Sequence, residues 1–227
     1  LPERLPPPAR VAGRRLLLVD KPDATQTHIR FGNLALARAA PEYLTATVAN
    51  TILGGGFTSL LIEELRVKRS LTYAAWSQFA ARLTGGDFRL GTFTKSATTV
   101  ETLSLALEVE GGFRSAPPAL PVLAKAKAYL RGQFPLRLES PEALAGRLAE
   151  IELYGLPDDE LVTYRSRVAA VTPAEVATVA RAFMPDPSDV AIVVVGRAGE
   201  VRAPLEAVFG PVQTVSAAGC EELAARR

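Results

Sequence analysis

The chain of 227 residues has little of the two residue types that most often build reactive or metal-binding sites, since it contains one cysteine, Cys220, and one histidine, His28. A single cysteine excludes an internal disulfide and a metal site made of several thiolates within this chain, and it leaves the redox compartment open. No apolar run approaches the roughly 20 residues that span a bilayer. The first ten residues also lack the hydrophobic core of a signal peptide. We therefore expect a soluble chain, in either the bacterial cytoplasm or the periplasm.

Neither sign of charge dominates the composition. Lys and Arg number 26 against 24 Asp and Glu, which gives a formal net charge of +2. Without a broad basic field, nucleic acid is not an expected partner. Apolar residues make up 48% of the chain, close to the globular average, so a chain of this length can bury a substantial core.

The two ends of the chain differ from its middle. The sequence begins at Leu1 rather than at Met and has prolines at positions 2, 6, 7 and 8, a pattern typical of an extended linker. We predict a linker over residues 1–13, one domain over 14–215 and a tail over 216–227. The abrupt start favours a segment of a longer protein.

Apolar periodicity predicts the order ββααββ for the first half of the domain. Its segments are two strands, two helices and a hairpin, at residues 14–20, 25–34, 41–53, about 58–68, and 71–80 with 87–94. Gly54, Gly55 and Gly56 separate the two helices, because consecutive glycines continue a helix only at a cost.

Helices dominate the second half. Apolar stripes predict three of them, at Val100, Leu103 and Leu107, then Leu120, Leu123 and Leu130, then Leu144, Leu148 and Ile151. Thr172 and Glu175 form a capping box that starts a further helix. The short apolar run over 189–196 predicts a central strand covered on both sides. We therefore predict an α+β fold, a mainly antiparallel mixed sheet with helices packed on one face.

The segment from Gly54 to Ser77 carries the most specific pattern, because it places Arg66 and Tyr73 seven positions apart across a turn from helix to strand. It resembles the R/Y segment in the C-terminal half of pitrilysin-type (insulinase-like) zinc metallopeptidases. Later stretches resemble the bacterial two-domain branch of that family in the same order, over about residues 16–215. Leu60 departs from the pattern, since the family usually has an arginine there.

This resemblance implies a half-clamshell fold and a divided active site. In the family, an N-terminal half binds zinc through an H-x-x-E-H motif, and a C-terminal half closes over the peptide with an arginine and a tyrosine. The resemblance therefore implies that Arg66 and Tyr73 are the catalytic residues of this chain. Two histidines are needed for H-x-x-E-H, and His28 stands alone. We expect no cofactor in this chain, zinc in a partner half, and no activity of the chain alone.

The chemistry of peptide hydrolysis gives these two residues a task. Negative charge builds up on the carbonyl oxygen, and Tyr73 could donate its hydroxyl to that charge. Arg66 could hold the hydroxyl or the substrate backbone with its planar guanidinium. A structural interpretation stays open, since a strand tyrosine is often half-buried core and an arginine at the end of a helix complements the helix dipole.

Three neighbouring features have ordinary explanations. His28, in an alternating strand, is expected to be a surface residue or a hydrogen-bonded strand residue. Lys68 and Arg69 are expected to be solvated turn charges. The three glycines from Gly54 follow a helix and lack the lysine and serine of a phosphate-binding loop.

Three functions remain open at this stage. The first is the zinc-free half of a metallopeptidase that completes the active site of a partner H-x-x-E-H domain or subunit on a peptide substrate. The second is a non-proteolytic scaffold that retains the fold. The third is a free-standing module that binds peptides along a strand edge. Whether the chain forms a dimer is also open.

Overall fold

The computed structural model describes residues 12–217. Most of the predicted linker, most of the predicted tail and Cys220 lie outside the described residues. Within the described residues, no helix has both the length and the apolar character required to cross a membrane.

Six strands of the described chain form one mixed sheet. They are β1 (Arg15–Asp20), β2 (Thr27–Ala35), β3 (Ala75–Ala81), β4 (Gly86–Thr94), β5 (Ala191–Gly196) and β6 (Gln213–Ser216). Their spatial order is β3-β4-β2-β5-β1-β6. The pairs β3–β4, β4–β2 and β2–β5 are antiparallel, whereas β1 pairs parallel with both β5 and β6. The predicted mixed, mainly antiparallel sheet and the predicted hairpin are therefore confirmed.

The described chain contains seven α-helices and one π-helix. They are α1 (Tyr43–Leu53), a π-helix (Ile62–Lys68), α2 (Thr99–Ser115), α3 (Leu120–Leu136), α4 (Pro141–Tyr154), α5 (Glu160–Ala170), α6 (Pro173–Phe183) and α7 (Ala198–Phe209). The capping box of α6 is present, because the Thr172 hydroxyl accepts from the Glu175 amide and the Glu175 carboxylate accepts from the Thr172 amide. The predicted α+β fold is confirmed, whereas α5, α7 and β6 were not predicted from the sequence.

The core lies between the sheet and the helices. Ile29, Phe31, Ile192 and Val194 point from β2 and β5 into it and are at most 2% exposed. The intervening Val193 and Val195 point to the other face of the sheet and are only half-buried. The prediction that the central strand is covered on both sides is therefore wrong within the described chain, because the helices cover one face only.

Two of the predicted apolar stripes are only partly buried. On α3, Leu123 and Leu130 are buried, but Leu120 is 70% exposed. On α4, Ile151 is buried, whereas Leu144 and Leu148 are 39% and 50% exposed. These helices lie at the periphery of the core, so only part of each apolar stripe contacts the rest of the domain and the remainder faces outward.

A close approach fixes the end of α1 against the sheet. A Cβ at Gly54 would lie 2.4 Å from the Ser77 amide nitrogen and 2.4 Å from its hydroxyl oxygen, so only glycine fits this position. The Ser77 amide donates to the Gly54 carbonyl at 3.2 Å, and the Ser77 hydroxyl donates to Asn50 at 2.8 Å. The π-helix that follows is thereby held next to β3.

Candidate functional site

Arg66 belongs to a helical segment of unusual geometry. The π-helix spans Ile62–Lys68, with Ile62 and Leu65 buried in the core and Arg66 exposed. This geometry is rare and often occurs at functional sites. These two buried residues precede Arg66 and fix the backbone from which its guanidinium extends into solvent.

A left-handed residue ends this helix. Ser70 has a φ of +54°, the Ser70 amide donates to the Arg66 carbonyl at 3.0 Å, and the Leu71 amide donates to the Leu65 carbonyl at 2.8 Å. Each of these two bonds spans one residue more than its counterpart in the Schellman arrangement, in which glycine is the usual residue at the left-handed position. The chain therefore reverses sharply between Arg66 and Tyr73 at the cost of a strained serine.

Threonine hydroxyls hold the short loop that carries Tyr73. The Thr94 hydroxyl donates to the Leu71 carbonyl at 2.7 Å, and the Thr92 hydroxyl donates to the Ala74 carbonyl at 3.0 Å. Thr72 also donates to the Ala74 carbonyl, at 2.9 Å. All three threonines are buried, so the backbone on both sides of Tyr73 is fixed to β4 and to its own loop.

Tyr73 itself is not a core residue. It precedes β3, which begins at Ala75, and its side chain is 78% exposed. The alternative of a half-buried strand tyrosine is therefore wrong. Among residues 12–217, neither the Tyr73 hydroxyl nor the Arg66 guanidinium forms a hydrogen bond or an ion pair. Both groups are available to a ligand.

The two side chains line the same cavity, which has a volume of about 630 Å³. Its wall combines the end of the π-helix, the Tyr73 loop, the end of β4 and the start of α2. Arg69 and Lys95 also line this cavity, which was not predicted from the sequence. The role of the supporting threonines was not predicted either. The alternation of Thr92 and Thr94 on one face of a strand was the only signal for that support.

The neighbouring residues singled out from the sequence have separate roles. The Lys68 ammonium donates to Glu64 at 2.6 Å, and this bond raises the pKa of Lys68. His28 is exposed on β2, with its ring 5.6 Å from that of Phe93. Leu60 packs partly buried against the main core. None of these three lines the cavity of Arg66 and Tyr73.

Zinc, which the resemblance places in a partner half, does not fit the residues present here. No group of three or more His, Cys, Asp or Glu side chains that could hold a metal ion occurs between residues 12 and 217. The cavity of Arg66 and Tyr73 contains one carboxylate, Glu101, and no imidazole. Its chemistry is hydrogen-bond donation and positive charge.

A second cavity, of about 590 Å³, lies on the open face of the sheet. Two of its arginines are already engaged. Arg30 donates to the carbonyls of Ile29 and Thr92 at 2.9 and 3.2 Å and lies 5.0 Å from the centre of the Trp76 ring, and burial lowers its pKa. Arg89 pairs with Asp87.

Comparison with known proteins agrees with this architecture. The family model described as the peptidase M16 inactive domain matches residues 1–118. An uncharacterized zinc protease of Streptomyces coelicolor is 30% identical over 172 residues, which cover 76% of this chain and 37% of that protein. The chain thus spans little more than a third of the length of that relative.

Solved structures share the fold. A peptidase M16 inactive domain from Pseudomonas fluorescens superposes with a TM-score of 0.80 at 26% identity, over 86% of this chain and 46% of that one. A chain of complex III2 from Candida albicans shares the fold alone, with a TM-score of 0.69 at 14% identity over 84% and 47% of the two chains. By its match to the family model over half its length, this chain belongs to the peptidase M16 family, as the inactive domain of the pitrilysin-like zinc proteases.

Proposed function

We propose that this chain is the zinc-free half of a zinc metalloendopeptidase, which closes over a substrate peptide and supplies Arg66 and Tyr73 to the active site of an H-x-x-E-H half. One observation carries the proposal. Arg66 and Tyr73 extend from fixed backbone into one cavity, and neither side chain has a hydrogen-bond partner within the described residues. Only buried polar groups need a partner within the fold, so these two exposed groups are hydrated and stay available to a ligand.

The two residues act on the peptide by hydrogen bonding. When water attacks the peptide carbonyl, the Tyr73 hydroxyl donates to the oxygen on which negative charge develops. A positioned donor of this kind typically contributes about 100- to 1000-fold to the rate. Arg66 binds a neighbouring backbone carbonyl through two N–H groups, which orients the peptide in the cavity. Because the backbone of both segments is fixed by hydrogen bonds, only the two side chains have to be ordered by the bound peptide.

In this proposal the zinc belongs to the partner half. The described residues offer no metal-binding group, and the chain covers only 37% of the related zinc protease from Streptomyces coelicolor. The partner contacts the rim around the Arg66–Tyr73 segment through a partly polar interface, because a clamshell has to open to admit its substrate.

The test is Tyr73→Phe in the complete assembly with its H-x-x-E-H half. We expect kcat to fall by about 100-fold, equivalent to roughly 2.7 kcal/mol. Because the hydroxyl is exposed, thermal stability and the zinc content of the assembly should stay unchanged. Tyr129→Phe is the matched control, since Tyr129 is an exposed tyrosine on α3 that does not line the cavity.

The scaffold function is the second candidate, and the shared fold of a complex III2 chain favours it. On that alternative, Arg66 and Tyr73 are remnants of a lost active site. Normal kcat in Tyr73→Phe, within about twofold of the parent assembly, would exclude the catalytic role of Tyr73. Absence of hydrolysis by the complete assembly would support the scaffold.

A further inference from the structure

Two additional cations share the cavity of Arg66 and Tyr73. Arg69 is the C-cap of the π-helix, and Lys95 follows β4 directly. With Arg66 they give three positive charges against the single carboxylate of Glu101, a net charge of 3 − 1 = +2 in one cavity. Glu101 lies in the first turn of α2, where the positive end of the helix dipole already stabilises its charge.

The fold does not use these two cations. Neither Arg69 nor Lys95 has a carboxylate partner among residues 12–217, whereas the adjacent Lys68 is paired with Glu64. The helix dipole accounts for a cation at the end of the π-helix, but Lys95 comes from a different element. Like charges in one cavity repel each other, and an anionic ligand removes that repulsion.

Both cations start from fixed backbone. The Arg69 amide donates to the Arg66 carbonyl. The Lys95 carbonyl accepts from the Thr98 amide at 3.0 Å. The Thr98 hydroxyl also lies 2.7 Å from that of Thr94, which in turn holds the Tyr73 loop. One network of hydroxyls therefore sets Lys95 and Tyr73 relative to each other.

We propose that Arg69 and Lys95 select peptides that carry a carboxylate next to the bond presented to Tyr73. This inference rests on the proposed function and adds the substrate class to it. The carboxylate is either an acidic side chain or the C-terminal carboxyl of the peptide, since both present the same planar anion. Arg69 and Lys95 are specificity residues, separate from the reacting atoms.

The test uses the complete assembly and two pairs of short peptides. One pair differs only in Glu or Gln, placed in turn at each position near the cleaved bond. The other pair differs only in a free or amidated C-terminus. The ratio of kcat/KM within each pair is measured for the parent assembly and for Arg69→Gln/Lys95→Gln. The control is Lys125→Gln/Arg131→Gln, which removes the same charge from exposed positions on α3.

We expect the parent to prefer the anionic peptide of at least one pair by about tenfold at low salt, as two partly exposed ion pairs together allow. The preference should weaken with ionic strength. It should fall to about one in Arg69→Gln/Lys95→Gln and persist in the control. A preference within the Glu/Gln pair identifies an acidic side chain as the source of the carboxylate. A preference within the other pair identifies the C-terminal carboxyl.

A parent ratio of about one for every pair overturns the inference, as does an equal loss of preference in the α3 control. Failure of the proposed function gives a different result from failure of this inference. If Tyr73 has no catalytic role, Tyr73→Phe leaves kcat unchanged for both peptides of a pair. Should the assembly hydrolyse no peptide, the same ratios are measured as dissociation constants by fluorescence anisotropy, with the same outcomes.

Discussion

The fold leaves polar groups without partners in two very different places. At the rim, Tyr73 and Arg66 are exposed to solvent. In the interior, Glu110 on α2 is fully buried, and neither carboxylate oxygen has a hydrogen-bond partner. Nearby Arg114 is engaged with Asp186 at 2.8 Å. An unpaired group costs almost nothing in water, but an unpaired buried charge costs several kcal/mol.

The two regions satisfy their polar groups in different ways. Burial raises the pKa of Glu110 to about 8, although Arg114 opposes the shift, so the carboxyl stays protonated in the folded chain near neutral pH. Solvent satisfies Arg66 and Tyr73 until a ligand replaces it. Only Arg66 and Tyr73 are therefore available to a ligand without lowering the stability of the fold.

The pH dependence of stability gives the largest effect. Glu110 has an ordinary pKa of 4.5 and a folded value of about 8, so between these values the unfolded chain has released a proton that the folded chain retains. Stability therefore decreases as pH rises, by up to about 1.4 kcal/mol per pH unit. Urea unfolding from about pH 5 to about pH 8 should show this slope in the parent chain.

Glu110→Gln should remove that slope, because an amide does not titrate. Glu108→Gln, an exposed neighbour on the same helix, should retain it. A parent chain whose stability rises over this range would show that the carboxylate of Glu110 is ionised and paired. Glu110 would then not be an unpaired buried group.

The second prediction concerns Arg66. Arg66→Lys keeps the charge but replaces a planar, two-pronged donor by a single ammonium, so kcat/KM of the complete assembly should fall by at least about tenfold. Chemical unfolding of the isolated chain should be unchanged. Arg131→Lys, an exposed position on α3, is the control. Unaltered kinetics would mean that only the charge at the end of the helix matters.

The smallest effect concerns the strained turn between the two residues. Ser70→Gly should stabilise the chain by about 0.5 kcal/mol, because glycine adopts a positive φ without penalty. Ser104→Gly, within α2, should have the opposite sign, since glycine destabilises a helix interior. Thermal unfolding of both variants measures the difference. A loss of stability in Ser70→Gly would show that the serine contributes a contact that outweighs its strain.

Local patterns predicted much of this architecture. The capping box at Thr172, the hairpin after Tyr73 and the helix break at Gly54 depend on neighbouring residues, and each is present. The position of β5 between β1 and β2 could not be predicted in this way. It follows from pairings between residues far apart in the chain, which periodicity does not encode.

Only part of the candidate site could be predicted from the sequence. The spacing of Arg66 and Tyr73 identified the pair through a resemblance, but their exposure depends on the π-helix and the Tyr73 loop. A π-helix of seven residues is too short for its period to differ visibly from that of an α-helix. The hydroxyls of Thr92 and Thr94 act on carbonyls of a distant loop, and Lys95 enters the cavity from another element.

If this chain is one half of a divided active site, hydrolysis should depend on reconstitution with the other half. The purified chain is dialysed, analysed for zinc and assayed with peptide, first alone and then mixed with its H-x-x-E-H half. We expect no stoichiometric zinc and no hydrolysis by the chain alone, and a large gain in hydrolysis on mixing at a ratio of one to one. One tightly bound zinc per chain together with hydrolysis by the chain alone would contradict the account, and no gain on mixing would favour the scaffold.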